Sequence, residues 1–366
     1  MFIGGEWRGS RSGATSEATS PATGETLGTL PEGDRADAQD ALRAASDAAW
    51  NWGRLSPYDR AAKLRRVADI VESKRDELVH ICTLDQGKPL AESSDEVDEL
   101  IALLHLAAED GVRIEGSVGV AAAPRRRALL LRRPRGVVAC VSPWNWPYTM
   151  PAEIVAPALA AGNSVVWVPA PSTAWCSTLL AQCFVEADFP PGVFNLVLGQ
   201  GPVVGDEIVA NPLSQAVAFI GSTATGLRVS ARAAGKAQLL EMGGNGPLVV
   251  LADADLDAAV KATLTGAFLC AGQSCTAAEQ ILVAREVREA YVEKLRVATE
   301  ATIHLGDPFA YGTTMGPLNN EPVAAKMDAH VADALERGAT LVAGGSRASG
   351  FPTDLYWQPT ILDGIS

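Results

Sequence analysis

Gly136-Val137-Val138-Ala139-Cys140-Val141, Ser164-Val165-Val166-Trp167-Val168, Val193 to Leu198 and Ala216 to Ile220 are the four short apolar runs that decide the fold. Each is too brief for a full helix, and its β-branched content suits a strand buried on both faces. Ile154 to Ala161, Thr173 to Ala187 and Val203 to Ala210 fall between them and read as helices. This alternation predicts an α/β protein with a parallel sheet covered by helices on both faces. In such sheets ligands bind at the carboxyl ends of the strands.

Upstream, the chain reads as a polar entry followed by helices. Asp34 and Asp37 are candidate N-caps for an Ala-rich helix reaching Trp50. Arg60 to His80 repeats Leu64, Val67, Ile70, Val71 and Leu78 at helical spacing, and Glu92 to Ala108 behaves similarly. Between Gly116 and Arg135, six arginines (Arg125, Arg126, Arg127, Arg132, Arg133 and Arg135) bracket Ala128-Leu129-Leu130-Leu131. A phosphate or nucleic-acid patch is one reading. The absence of interleaved aromatics favours an exposed β-ribbon at a subunit interface, its edges blunted by charge.

The 366 residues are 48% hydrophobic, enough for two or three domain-sized units with real cores. With 30 basic against 43 acidic side chains the net charge is −13, which leaves no electrostatic footprint for nucleic acid or an anionic membrane. Charged residues make up only 20%, which excludes global disorder. Ile154 to Val185 carries no charge, but Pro157, Gly162-Asn163, Pro169 and Pro171 cut it into pieces too short to span a membrane. Met1-Phe2-Ile3-Gly4-Gly5-Glu6 has neither a basic nor an apolar signal region. Six cysteines in such a chain point to reduced thiols, so the expectation is a soluble, cytoplasmic protein.

Gly199-Gln200-Gly201-Pro202-Val203-Val204-Gly205 follows a strand and opens a helix, one residue longer than the dinucleotide fingerprint. Gly221-Ser222-Thr223-Ala224-Thr225-Gly226 repeats the arrangement one strand later, where free backbone N–H groups and hydroxyls make an anion site. A short-chain reductase needs Tyr and Lys at i, i+4; Tyr291 and Lys294 are at i, i+3. A zinc dehydrogenase needs clustered ligands, whereas His80, His105, His304 and His330 are scattered. Three positions carry more. Cys275 lies among small residues in Gly272-Gln273-Ser274-Cys275-Thr276. Glu241 follows Leu239-Leu240 and is either a paired ion or a base of raised pKa. Asn145 is flanked by prolines in Pro143-Trp144-Asn145-Trp146-Pro147.

Taken in order, these motifs resemble the NAD(P)-dependent aldehyde dehydrogenase superfamily over nearly the whole chain. Ile3 to Trp7, Pro21 to Glu25, Gln86-Gly87-Lys88-Pro89, Pro143 to Pro147, Phe219 to Gly226, Glu241 to Pro247 and Gly272 to Thr276 carry the likeness. It implies a Rossmann-like cofactor domain (1–115 and 136–243), an oligomerisation ribbon (116–135) and a second α/β catalytic domain (244–366). It also implies NAD or NADP as cofactor, an aldehyde as substrate, and a homodimer or homotetramer for the full-length protein. Cys275 is the implied nucleophile, Asn145 with the Cys275 N–H the oxyanion hole, and Glu241 the base that hydrolyses the thioester. Acylating relatives that use coenzyme A generally lack this glutamate. Val141, Ser142, Trp144, Val168, Pro171, Gly199, Gly205, Phe219, Gly221, Ser222, Met242 and Gly243 are the implied cofactor contacts. Trp146, Tyr148, Met150, Ser274 and Thr276 border the implied aldehyde channel, which suits an apolar or aromatic aldehyde rather than a dianion.

The chain departs from the family pattern in three places. Val168 and Pro171 stand where a Lys and a Glu usually hold the adenosine ribose, leaving Ser172 or Thr173 as neutral substitutes. Ile154 stands where many hydrolytic members place a Lys. After Pro359-Thr360-Ile361-Leu362 the family continues into a Glu-x-Phe-Gly-Pro segment, so about a hundred residues of the catalytic domain are expected to be missing. Two other readings follow from the residues: a non-catalytic dinucleotide-binding or interaction protein, and a thiol hydrolase that uses Cys275 and Glu241 without cofactor.

Overall fold

The computed structural model describes residues 1–123 and 125–365. Contacts divide the chain into two units, the first from residues 1–16, 29–78 and 96–241, the second from 17–28, 79–95 and the chain from 242 on.

Five parallel strands form the heart of the first unit: β1 (Val137–Val141), β2 (Ser164–Val168), β3 (Phe194–Leu196), β4 (Ser214–Ile220) and β5 (Ala237–Glu241). Their order across the sheet is β5-β4-β1-β2-β3. The chain steps outward from β1 to β2 and β3, then returns to the other side of β1 for β4 and β5. The reversal makes β1/β4 the topological switch point, where the loops leave in opposite directions and open a crevice. Phe2–Ile3 adds an antiparallel strand beyond β3, pairing Phe2 with Leu196, and Glu6–Trp7 closes that edge. Asn195 holds this addition in place: its Oδ1 accepts the Gly4 N–H at 2.9 Å while its Nδ2 donates to the Val165 and Gly192 carbonyls.

The core follows from the sequence pattern. β1 is buried along Val137 to Cys140 and β2 along its whole length, as strands covered on both faces require. Helices Arg35–Arg54 and Thr149–Ala160 meet where Trp52 Nε1 donates to the Leu159 carbonyl at 3.1 Å in the interior. Phe184 stacks on Phe194 at 4.8 Å. Asp34 caps the Arg35–Arg54 helix, accepting from Ala36 N and Asp37 N, and Asp37 reciprocates on the Asp34 N–H. The helix expected from Arg60 to His80 is two, Pro57–Ser73 and Arg75–Gln86, because Lys74 leaves helical geometry with its N–H bonded back to Ile70 and Val71. Ser117–Val120 and Arg127–Leu130 pair as the antiparallel ribbon read from the sequence, and every residue of both strands is exposed.

The second unit holds a parallel pair, β6 (Pro247–Val250) and β7 (Gln280–Val283), against helices Leu256–Phe268 and Arg288–Thr302. Val250, Val260, Tyr291, Leu295 and Ile361 are its buried cluster. Residues 17–28 and 79–95, expected in the first domain, belong to this unit. Asn319 Nδ2 donates to the Asp85 and Gln86 carbonyls, the Leu90 N–H to Pro308, and Thr353 Oγ1 to Pro21 at 2.7 Å. Among the described residues no helix is long and apolar enough to cross a membrane.

Replacing Asp34 with Ala removes both capping bonds and is expected to cost about 1 kcal/mol. Urea unfolding checks it: the midpoint falls with an unchanged slope.

Candidate active site

Register brings the sheet's functional ends to one level. Val141 of β1 pairs with Val168 of β2 on one side and with Phe219 of β4 on the other, and Ile220 pairs with Glu241. Three implied cofactor contacts therefore lie in one row across three strands. The loops that follow carry Ser142, Trp144 and Asn145 after β1, Pro171 after β2, Gly199 and Gly205 after β3, and Gly221 and Ser222 after β4. Glu241 ends β5, exposed, and its carbonyl accepts the Gly221 N–H at 3.0 Å.

The structure corrects what several of these residues offer. Val168 and Phe219 are buried, so their side chains face the core and only their backbone borders the crevice. Ser142 is buried too, and its Oγ accepts from Trp167 Nε1 at 2.8 Å. Tyr148 does not line a channel: it is wholly buried and its phenol donates to the Leu78 carbonyl at 3.0 Å. Glu241 is not desolvated in the manner its apolar neighbours in sequence implied. Trp144, Asn145, Trp146 and Met150 are half-buried.

Sequence reasoning missed the residue that shapes this loop. Helix Thr149–Ala160 has no side-chain cap of its own. Instead, the fully buried Glu96 carboxylate accepts the N–H groups of Tyr148 at 2.8 Å and Thr149 at 3.3 Å. A carboxylate at a helix start also meets the positive end of the helix dipole. Asn145 sits three residues before Tyr148, so Glu96 fixes the end of the segment that carries the amide. The signal in the sequence was an acid on the apolar face of its helix, beside Val97 and Leu100.

The donor set for a dinucleotide is neutral. Ser222 caps helix Thr223–Arg232, accepting from Thr225 N, and this helix start follows β4 at the switch point. Gly201 has open space where a Cβ would stand. After β2, Ser172 is half-buried and Thr173 Oγ1 is a buried hydroxyl with no hydrogen-bond partner, the kind of group a sugar hydroxyl satisfies. These residues fit a dinucleotide held by backbone amides and hydroxyls, with no cation at Val168 or Pro171. Among the described residues no cluster of His, Cys, Asp and Glu is set to hold a metal.

Cys275 lies in the second unit. Of the six cysteines five are buried and Cys275 alone is exposed. It stands in a turn closed by the Ala277 N–H on the Ser274 carbonyl at 3.1 Å, with Ser274 Oγ and Thr276 Oγ1 3.0 Å apart beside it. Met242 and Gly243 continue in sequence from β5 into this unit. The backbone of the next residues runs against the turn: a Cβ on Gly244 would stand 2.5 Å from the Cys275 carbonyl oxygen, and one on Gly246 2.7 Å from that of Ala277. Only glycine permits that approach.

Residues 7–366 match the model of the aldehyde dehydrogenase family. Succinate-semialdehyde dehydrogenase [NADP(+)] of Escherichia coli is 38% identical over 99% of this chain and 75% of its own length. The crystal structure of succinate-semialdehyde dehydrogenase from Burkholderia pseudomallei superposes with a TM-score of 0.97 at 38% identity, covering 100% of this chain and 76% of that one. A betaine aldehyde dehydrogenase from Staphylococcus aureus, solved with NAD+, gives 0.96 at 31% identity over 99% and 74%.

Glu96→Ala strands two backbone amides away from water and is expected to lower stability by about 2–4 kcal/mol, charged hydrogen bonds being worth about 1.5–3 kcal/mol each. Glu96→Gln keeps the accepting oxygen and should lose less. Thermal unfolding of the two variants beside the parent checks the order.

Proposed function

The chain belongs to the aldehyde dehydrogenase family and is an NAD(P)-dependent, aldehyde-oxidising enzyme; on that premise we propose that Cys275, Asn145 and Glu241 carry the reaction. The observation behind the assignment is the exposure of Cys275 alone among six thiols, in a turn shaped by glycines.

The Cys275 thiolate attacks the aldehyde carbon, forming a C–S bond as the carbonyl electron pair moves to oxygen. The Asn145 amide and the Cys275 N–H donate to that oxygen, an oxyanion hole whose donors are each worth a few kcal/mol. NAD(P)+, when bound, supplies the acceptor for the hydride this oxidation releases. Ser222, the backbone of Gly221 and Gly199, and Ser172 or Thr173 would hold it through neutral donors, together with the backbone of Val141, Val168 and Phe219. A thioester is left on Cys275. Glu241 takes a proton from water, which attacks the thioester; the C–S bond breaks with its electron pair going to sulfur, the carboxylic acid leaves and Cys275 is freed as the thiolate that began the cycle. The exposed position of Glu241 gives its proton a route to solvent. The six unbridged cysteines support a reducing, cytoplasmic setting. The apolar, arginine-bracketed ribbon supports pairing with a second copy.

For the substrate we infer an uncharged, apolar or aromatic aldehyde. Trp144, Trp146 and Met150 offer half-buried apolar surface. Glu153, one turn beyond Met150, has its carboxyl pushed above the usual range by partial burial and then by the Glu99 and Glu241 carboxylates. On this reading, three carboxylates close enough to interact near the Met150 turn would disfavour an anionic tail. The second reading, a semialdehyde bearing its own carboxylate, rests on the name of the 38% identical relative.

Cys275→Ser is expected to abolish turnover. Glu241→Gln should give a burst of reduced cofactor near one equivalent and then stall; undiminished steady-state turnover removes Glu241 from the mechanism. Benzaldehyde should show a higher kcat/KM than succinate semialdehyde, and the reverse ranking gives the substrate to the second reading.

A further inference from the structure

The loop leading to Cys275 passes through a conformation that side chains rarely adopt. Cys270, Ala271 and Gly272 have φ of 53°, 54° and 76°, three consecutive left-handed residues of which only one is glycine. A non-glycine residue there is strained by its Cβ and persists only where its surroundings hold it.

The restraints converge on Cys270. Its N–H donates to both oxygens of Glu92, at 3.1 and 3.0 Å. Its carbonyl accepts from the Gln273 backbone N–H at 3.1 Å and from Gln273 Nε2 at 2.8 Å. Its sulfur, buried, lies 3.5 Å from Gln86 Nε2. Gln273 is anchored in turn, its Oε1 accepting the Asn319 N–H at 3.0 Å. Among these contacts the one made by a charged side chain is that of Glu92, and charge-assisted bonds are about twice as strong as neutral ones.

We propose that Glu92 is a positioning residue for the nucleophile: by holding the Cys270 amide it fixes the left-handed run that sets where the Cys275 thiol stands. Glu92 acts through the loop, by its bonds to the Cys270 amide. The inference rests on Cys275 being the nucleophile.

The test pairs Glu92→Ala with Glu92→Ala/Cys270→Gly in the full chain. Glycine adopts the left-handed conformation without the Cβ penalty, so it restores the turn when the carboxylate is gone. In Glu92→Ala, kcat should fall about tenfold or more with KM little changed, since small misplacements of a reacting group carry losses of that order. The double variant should recover most of it. A role in overall stability alone predicts no recovery, because Cys270→Gly also removes a buried side chain.

A second readout is independent of turnover: the iodoacetamide alkylation rate at Cys275, followed by mass spectrometry. The other five thiols are buried, and burial pushes Cys183 up to about 12 and Cys140 higher, so the label selects Cys275. The rate should change about threefold or more in Glu92→Ala and return toward the parent in the double variant, as a loop released and refixed requires. Where Glu92→Ala fails to fold, Glu92→Gln, which keeps one acceptor, should show a smaller change of the same kind. Parent-like kcat and alkylation in the Glu92 variants, or equal losses in the single and double variants, overturn the proposal. Turnover surviving Cys275→Ser overturns instead the assignment of the nucleophile.

Discussion

A peptide N–H shut away from water must find an acceptor, and the turns that carry reactive groups are where a regular ladder cannot supply one. In the first unit the Glu96 carboxylate meets the amides of Tyr148 and Thr149, where a helix begins without a cap of its own. In the second, Glu92 meets the amide of Cys270. Both acids lie on helix Leu90–Val112, which reads as an ordinary amphipathic helix. Remove such a carboxylate and a loop loses its shape before the sheet loses a strand. The scaffold and the aim of its side chains thus depend on different interactions.

The sheet needs only short-range information. β1, β2 and β4 are apolar runs bounded by breakers, and Ser222 and Asp34 mark helix starts as their residue types suggest. The motifs of Asn145, Glu241 and Cys275 were also legible, because their neighbours are prolines and glycines that constrain backbone geometry locally. What stayed hidden is long-range. Nothing near Phe2 announces its pairing with Leu196, and nothing near Pro21 or Gln86 announces Thr353 or Asn319 as partners. Tyr148 looked like channel wall because an aromatic beside Trp146 suits either role; its burial depends on Leu78, seventy residues away. The break at Lys74 is invisible to periodicity, since apolar spacing continues through it.

The end of β2 is neutral where the family pattern places a Lys and a Glu. Val168 packs inward, and Pro171 opens a short turn instead of offering a carboxylate. On the proposed cofactor contacts, discrimination between the two dinucleotides would fall to hydroxyls and backbone. The Glu99 and Glu241 carboxylates lie close enough to Glu153 to add to the upward shift that desolvation gives its carboxyl.

The ribbon of Ser117–Val120 and Arg127–Leu130 leaves Val120 wholly exposed, with Val118 and Leu129 more than two-thirds so. Apolar contact draws its strength from the release of water and weakens on cooling. A second copy covering these residues would therefore grip less tightly in the refrigerator than at growth temperature, and dilution would compound the loss. Cold and dilution would then leave the ribbons bare, and room temperature and high concentration would favour their being covered.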